Sequence, residues 1–108
     1  MQHISAPQLA QAIKSTASDS KLRLLDVREP WELEIASLPN ATHIPMGEIT
    51  ARFEELNRDQ TVVCICHHGV RSLQVGLFLE RNGFDDVINL TGGIDAWTKL
   101  VDSSCPSY

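Results

Sequence analysis

Residues 61–72 constrain the fold more than any other stretch of the chain. Thr61-Val62-Val63-Cys64-Ile65-Cys66 runs without polar alternation and stops abruptly at His67-His68-Gly69-Val70-Arg71-Ser72. A strand with one wet face alternates apolar and polar residues, whereas an unbroken apolar run has to be covered on both faces. Such a run suits the centre of a parallel sheet. The segment from Arg71 to Asn82 has helical character, with Leu73, Leu77 and Phe78 along one side and Gly83 where a C-terminal cap belongs. A buried strand, a four-residue polar loop and a helix therefore follow one another directly.

The flanking sequence alternates in the same way. Ser5 and Gln8 form a helix-start pair ahead of Leu9, Ala12 and Ile13, so a first helix is expected over about 6–17. Leu22 to Val27 is a short buried strand, Pro30 opens a helical turn to about Ile35, and His43-Ile44-Pro45 is a minimal extended segment. Ile49, Phe53 and Leu56 predict a third helix from Gly47 to Leu56. Val87 to Leu90 is the last strand, followed by Gly92-Gly93 and a helix to about Leu100. This order predicts an α/β, doubly wound architecture, a mainly parallel sheet flanked by helices on both faces. The 108 residues are expected to make one domain, 1–108, with about 101–108 as a short C-terminal tail.

Composition narrows the function classes. A hydrophobic content of 43% with 21% charged residues is that of a folded domain, and a formal charge of −5 argues against nucleic-acid or anionic-membrane partners. No apolar run approaches the ~20 residues of a membrane helix. The start Met1-Gln2-His3-Ile4 has no secretory pattern, and the odd count of three cysteines reads as reduced thiols, so a cytoplasmic protein is expected.

In open α/β sheets ligands bind beyond the carboxyl ends of the strands. Cys66 falls there, before a loop whose Gly69 permits a conformation other residues resist and whose backbone N–H groups can turn inward over a helix start. A free thiol has a pKa of about 8.5, and such surroundings lower it toward neutrality. Cys66 is thus expected to be a catalytic thiolate, with His67, His68, Gly69, Val70, Arg71 and Ser72 binding the substrate. Cys64, inside the apolar run, is expected to be a core residue, and Cys105 a bystander thiol. Cys64, Cys66, His67 and His68 also cluster in sequence, but neighbours on a strand point to opposite faces and the spacing fits no zinc pattern. No metal and no cofactor are expected.

Three blocks carry a resemblance across nearly the whole chain: Leu25-Asp26-Val27-Arg28-Glu29-Pro30-Trp31-Glu32, Cys66-His67-His68-Gly69-Val70-Arg71-Ser72, and Gly92-Gly93-Ile94-Asp95-Ala96-Trp97. In these the sequence resembles the single-domain rhodaneses, or thiosulfate sulfurtransferases. The resemblance implies a three-layer fold with about five strands, and an enzyme that moves sulfane sulfur from thiosulfate or a similar donor to a thiol or cyanide through a Cys66 persulfide. It also implies that Asp26 and Arg28 brace the loop, through ion pairs with carboxylates such as Glu29 or Glu32. Phosphatases and arsenate reductases of the same fold carry five residues between cysteine and arginine, whereas four separate Cys66 from Arg71 here. The alternatives are a persulfide carrier or interaction module serving an acceptor protein, and then a phosphatase or arsenate reductase. The chain departs from the family at Ala36-Ser37-Leu38-Pro39-Asn40-Ala41, where Ser37 stands in place of the usual histidine and Asn40 in place of a glycine.

Overall fold

The apolar run forms the middle strand of a five-stranded sheet. In the computed structural model, which describes residues 1–15 and 22–108, the strands are β1 (Gln2–Ile4), β2 (Leu22–Asp26), β3 (Thr42–His43), β4 (Thr61–Ile65) and β5 (Val87–Leu90). They lie in the order β1-β5-β4-β2-β3, and every pairing is parallel. Leu25 stands opposite Cys64, and Cys64 opposite Asn89. The helices are α1 (Ala6–Ser15), α2 (Pro30–Ile35), α3 (Ile49–Arg52), α4 (Val70–Arg81) and α5 (Gly93–Leu100).

Both faces of β4 are dry, as its composition requires. Val62 and Cys64 join Leu25, Val75, Leu79 and Phe84 in the core on the α3–α4 side. Val63 and Ile65 join Leu9, Leu90, Ile94 and Trp97 on the α1–α5 side. Each such aliphatic side chain contributes roughly 1.5–3 kcal/mol on burial. This is the α/β, three-layer fold expected from the sequence. Among the described residues no helix is long and apolar enough to cross a membrane.

The local signals act as expected at two helix starts. Ser5 N–H donates to Gln8 Oε1 at 3.0 Å while Gln8 N–H donates to Ser5 Oγ at 3.3 Å, closing a capping box at α1. The end of the helix expected to reach about residue 17 lies outside the described residues. At α2 the Glu29 N–H donates to the Glu32 carboxylate at 3.2 Å, with Pro30 at the first helical position.

Four features differ from expectation. The helix predicted over Gly47–Leu56 is a single α-helical turn, α3, between two 3-10 turns at Met46–Glu48 and Phe53–Glu55. Tightening both ends lets Ile49 and Leu56 enter one core while Phe53 meets Phe78 edge-on at 5.2 Å, and Arg52 bridges Glu48 and Glu55 on the outside. The buried stripe of α4 is Ser72, Val75, Gly76 and Leu79; Leu77 is 38% exposed. That helix buries Ser72 and Gly76 together with Val75 and Leu79, which turns Leu77 toward solvent and leaves Leu73 and Phe78 at the margin. Gln2–Ile4, too short to display a periodicity, forms an edge strand beside β5. The segment after α5 is no free tail: Cys105 is buried in the α1–α5 core, and Tyr108 reaches the loop that follows β4.

Candidate active site

The loop from Cys66 to Gly69 is held from below so that its polar groups face one atom. The first N–H groups of α5 take its carbonyls: Ile94 N–H donates to Cys66 O at 2.9 Å and Asp95 N–H to His67 O at 3.0 Å. The approach is so close that a Cβ on Gly93 would lie 2.2 Å from Cys66 O. With the carbonyls turned down, the N–H groups turn in. Gly69, at φ +105°, makes the reversal that starts α4, and its own N–H donates to Cys66 Sγ at 3.0 Å. Its carbonyl accepts from Asn89 Nδ2 at 3.1 Å. Ser72 Oγ lies 3.3 Å from the sulfur and 2.5 Å from Asn89 Oδ1.

Two influences compete over the Cys66 thiol. Burial pushes its pKa up, for the residue is only 1% exposed. The Ser72 hydroxyl and the N–H groups of Ser72, Gly69 and His68 push it down, and they prevail, so the thiol is more acidic than an ordinary one. Cys64 has no such donors, and burial pushes its thiol up to about 12. Cys64 on β4 and Cys66 just past its end thus differ in kind: one thiol is made more acidic, the other less.

The supporting charges pair otherwise than expected. Arg28, fully buried, turns back onto Asp26: Nε and Nη2 donate to the carboxylate at 2.7–3.1 Å, and Nη2 also to the Ala36 carbonyl at 2.7 Å. Its carboxylate partner is therefore not Glu29, which is exposed, nor Glu32. Asp26 ends β2 just where the chain bends, so the two side chains close that bend; the Arg28 carbonyl then accepts from His43 Nε2 at 2.6 Å. Glu32 instead takes Arg71 in a two-pronged pair at 2.7 and 2.9 Å. That pairing holds the Glu32 carboxyl down to about 2 and raises the Arg71 guanidinium. Arg71, 35% exposed at its side chain, is thus a neutralised cation that ties α4 to α2.

Tyr108, like Asn89, is a contributor that sequence reasoning missed. Its hydroxyl donates to Glu32 Oε2 at 2.6 Å and accepts from Arg28 Nη1 at 2.9 Å. Its ring lies flat on His67, with centroids 3.9 Å apart and planes 9° apart. Burial, chiefly, pushes the phenol up to about 12, and burial also holds the His67 imidazole below its ordinary value. An aromatic at the end of a Ser/Pro-rich stretch carries no periodic signal that would tie it to a loop some forty residues earlier.

The residues expected to bind substrate therefore divide. Gly69 and Ser72 touch the sulfur, Arg71 turns to Glu32, Val70 and His68 face solvent, and His67 lies between Tyr108 and the His68 ring at 4.0 Å. His67, His68 and Asp95 can bring their ligand atoms within 4.8 Å of one another. The two imidazoles are tilted by 33° to one another, and Lys99 Nζ holds Asp95 Oδ2 at 3.0 Å.

The model of the rhodanese-like domain family matches residues 5–100. The putative sulfurtransferase YtwF of Bacillus subtilis is 39% identical over 97 residues, which make up 90% of each chain. The putative sulfur carrier protein YrkF of the same organism is 41% identical over 96 residues, or 87% of this chain and 52% of that protein, so the chain spans about half its length. A crystal structure of a rhodanese-like domain protein from Staphylococcus aureus superimposes with a TM-score of 0.80 at 32% identity, over 100% of this chain and 99% of that one. With five parallel strands in this order, a cysteine loop at the end of the middle one and a match over most of its length, the chain belongs to the rhodanese-like domain family.

Proposed function

We propose that the chain is a sulfurtransferase that moves sulfane sulfur from thiosulfate, or a similar donor, to a thiophilic acceptor through a persulfide on Cys66. The observation that carries this reading is the setting of the sulfur: Cys66 Sγ accepts from the Gly69 N–H at 3.0 Å and lies 3.3 Å from Ser72 Oγ, in a loop with four residues before Arg71, one fewer than phosphatases of the same fold carry. The Cys66 thiolate attacks the outer sulfur of thiosulfate. A sulfur–sulfur bond forms as the one within the donor breaks, and its electron pair leaves with sulfite. Cyanide or a thiolate then attacks the outer sulfur of the persulfide, and the electron pair returns to Cys66. The inward N–H groups of residues 67–72 stabilise the anionic sulfur at each stage, and a thiol already acidified by its donors makes no demand for a general base. A reducing compartment such as the cytoplasm would keep Cys66 free for this cycle.

The relative named as a sulfur carrier favours a second reading, in which the acceptor is a partner protein and Cys66 hands on sulfur without turning over small molecules. Both readings require the persulfide. Incubation with thiosulfate followed by intact mass measurement should show the gain of one sulfur atom, absent in Cys66→Ser and retained in Cys64→Ser. Many cycles of transfer to cyanide per chain, rather than a single release, separate the enzyme from the carrier. An unmodified mass, together with hydrolysis of an aryl phosphate, would sink both in favour of a phosphatase.

A further inference from the structure

Ser72 has a single hydroxyl proton and two claimants for it. Asn89, buried on β5, is fixed in orientation: its Nδ2 meets the Gly69 carbonyl at 3.1 Å, and because a carbonyl cannot donate, the nitrogen has to be on that side. Its Oδ1 therefore faces Ser72 Oγ at 2.5 Å, and the hydroxyl hydrogen lies between them. Cys66 Sγ is 3.3 Å from the same Oγ. While the proton is with Asn89, Ser72 shows the sulfur only lone pairs, which suit a thiol S–H and repel a thiolate.

We propose that Asn89 is a positioning residue that acts through Ser72: it sets which way the hydroxyl points, and so whether Cys66 Sγ meets a lone pair or a proton. Ionisation of Cys66 draws the Ser72 proton over to the sulfur and strips Asn89 Oδ1 of its partner, inside a pocket where Ser72 is fully buried. The inference deepens the sulfur-transfer reading and, in its catalytic consequence, rests on it. When the persulfide forms, the negative charge passes from Sγ to the outer sulfur. The bridging Sγ is then a poor acceptor, and the proton returns to Asn89. Asn89 thus favours the loaded cysteine over the bare thiolate without touching the transferred atom.

The other ionisable groups around the sulfur are Cys64 beside it on β4, the Arg71–Glu32 pair from α4 and α2, and His67, His68 and Asp95 about the loop. None of them touches the Ser72 hydroxyl among the described contacts, so a comparison made with and without that hydroxyl isolates Asn89. The test is a pH titration of thiolate absorbance, with the Cys66→Ser signal subtracted, in Asn89→Leu, Ser72→Ala and the double variant. Asn89→Leu is expected to lower the Cys66 midpoint, giving about tenfold more thiolate at pH values below it. The same change on the Ser72→Ala background should leave the midpoint where it is. An unchanged or raised midpoint in Asn89→Leu, or an equal fall on both backgrounds, overturns the proposal. Should Asn89→Leu not fold, the side-chain carbonyl carbon of Asn89 answers the same question by NMR. Its shift should follow the Cys66 titration in the natural sequence and lose that inflection in Ser72→Ala; an inflection that persists in Ser72→Ala overturns the proposal equally. Neither measurement contains a sulfur donor, so failure here and failure to load sulfur are separate results.

Discussion

Gly93 shows how much of the site depends on a residue with no chemistry of its own. Its φ of +59° is tolerable for alanine at a cost of about 1–2 kcal/mol, but the added Cβ would fall 2.2 Å from Cys66 O and 2.5 Å from His67 O. Those are backbone atoms already bonded to Ile94 and Asp95, with no flexible end to move aside. Gly93→Ala is therefore expected to push the loop away from α5, lower stability by about 2–4 kcal/mol in urea denaturation, and abolish loading of Cys66 in the thiosulfate mass assay. Near-normal loading in the variant would mean that the loop holds its shape without α5. At this scale Cys66 and Gly69 are legible in sequence, because an apolar run that breaks into polar residues and a glycine marks the end of a buried strand and a tight turn after it. Asn89 is not, since its partners are 17 and 20 positions away and a single asparagine in a short strand resembles an ordinary edge polar residue. The expectation that Glu32 or Glu29 serves Arg28 fails for a related reason. Charge can be read from a sequence, but which carboxylate a guanidinium reaches depends on where the chain bends.

Elements are legible where a local signal closes on itself. The capping box at α1, the Pro30 start of α2 and the unbroken run of β4 need no tertiary information, and they appear where they are expected. The buried face of α4 is not legible in this way, because helical spacing ranks residues by size, whereas the buried face takes small ones, Ser72 and Gly76, together with Val75 and Leu79. The C-terminal segment shows the limit most plainly: local bonds turn the chain at Asp102, but its place in the fold comes from contacts that Tyr108 and Cys105 make with other elements. That dependence can be measured. Tyr108→Phe keeps the ring on His67 and removes the hydroxyl, leaving Arg28 without one acceptor and Glu32 without one donor, and should cost about 1–2 kcal/mol. Tyr108→Ala removes the stacked ring as well and should cost at least a further ~1 kcal/mol. Two thermal melts superimposable on that of the natural sequence would show that the segment merely rests on the site.

Across the whole molecule, the carboxyl ends of β2 and β4 deliver to one place a stacked arrangement of charge: Asp26 with Arg28 beneath, Glu32 with Arg71 above, and Tyr108 bridging the two. A chain with a formal charge of −5 has concentrated two of its nine basic residues there, each against a carboxylate. This makes stability depend on pH in a definite direction. Glu32 titrates at about 2 in the folded protein against an ordinary value of 4.5, so the folded state binds its proton less readily than the unfolded chain does. The stabilisation is complete above the unfolded value and is lost as the pH falls from about 4.5 toward 2. Since Arg71 is about a third exposed and screened by water, the loss is set at about 2–3 kcal/mol, below what the shift alone implies. Urea denaturation should give a free energy that begins to fall as the pH drops past about 6.5, where the lowered His67 imidazole contributes, and that falls further with acid below about 5.5 as Glu32 takes its proton. In Glu32→Gln the baseline should be lower at neutral pH, because Arg71 and Tyr108 have lost a charged partner, and the acid slope shallower, because the group that carries it is gone. An acid limb as steep in Glu32→Gln as in the natural sequence would assign the dependence to other carboxylates and leave the Glu32–Arg71 tie between α2 and α4 without a role in holding the domain together.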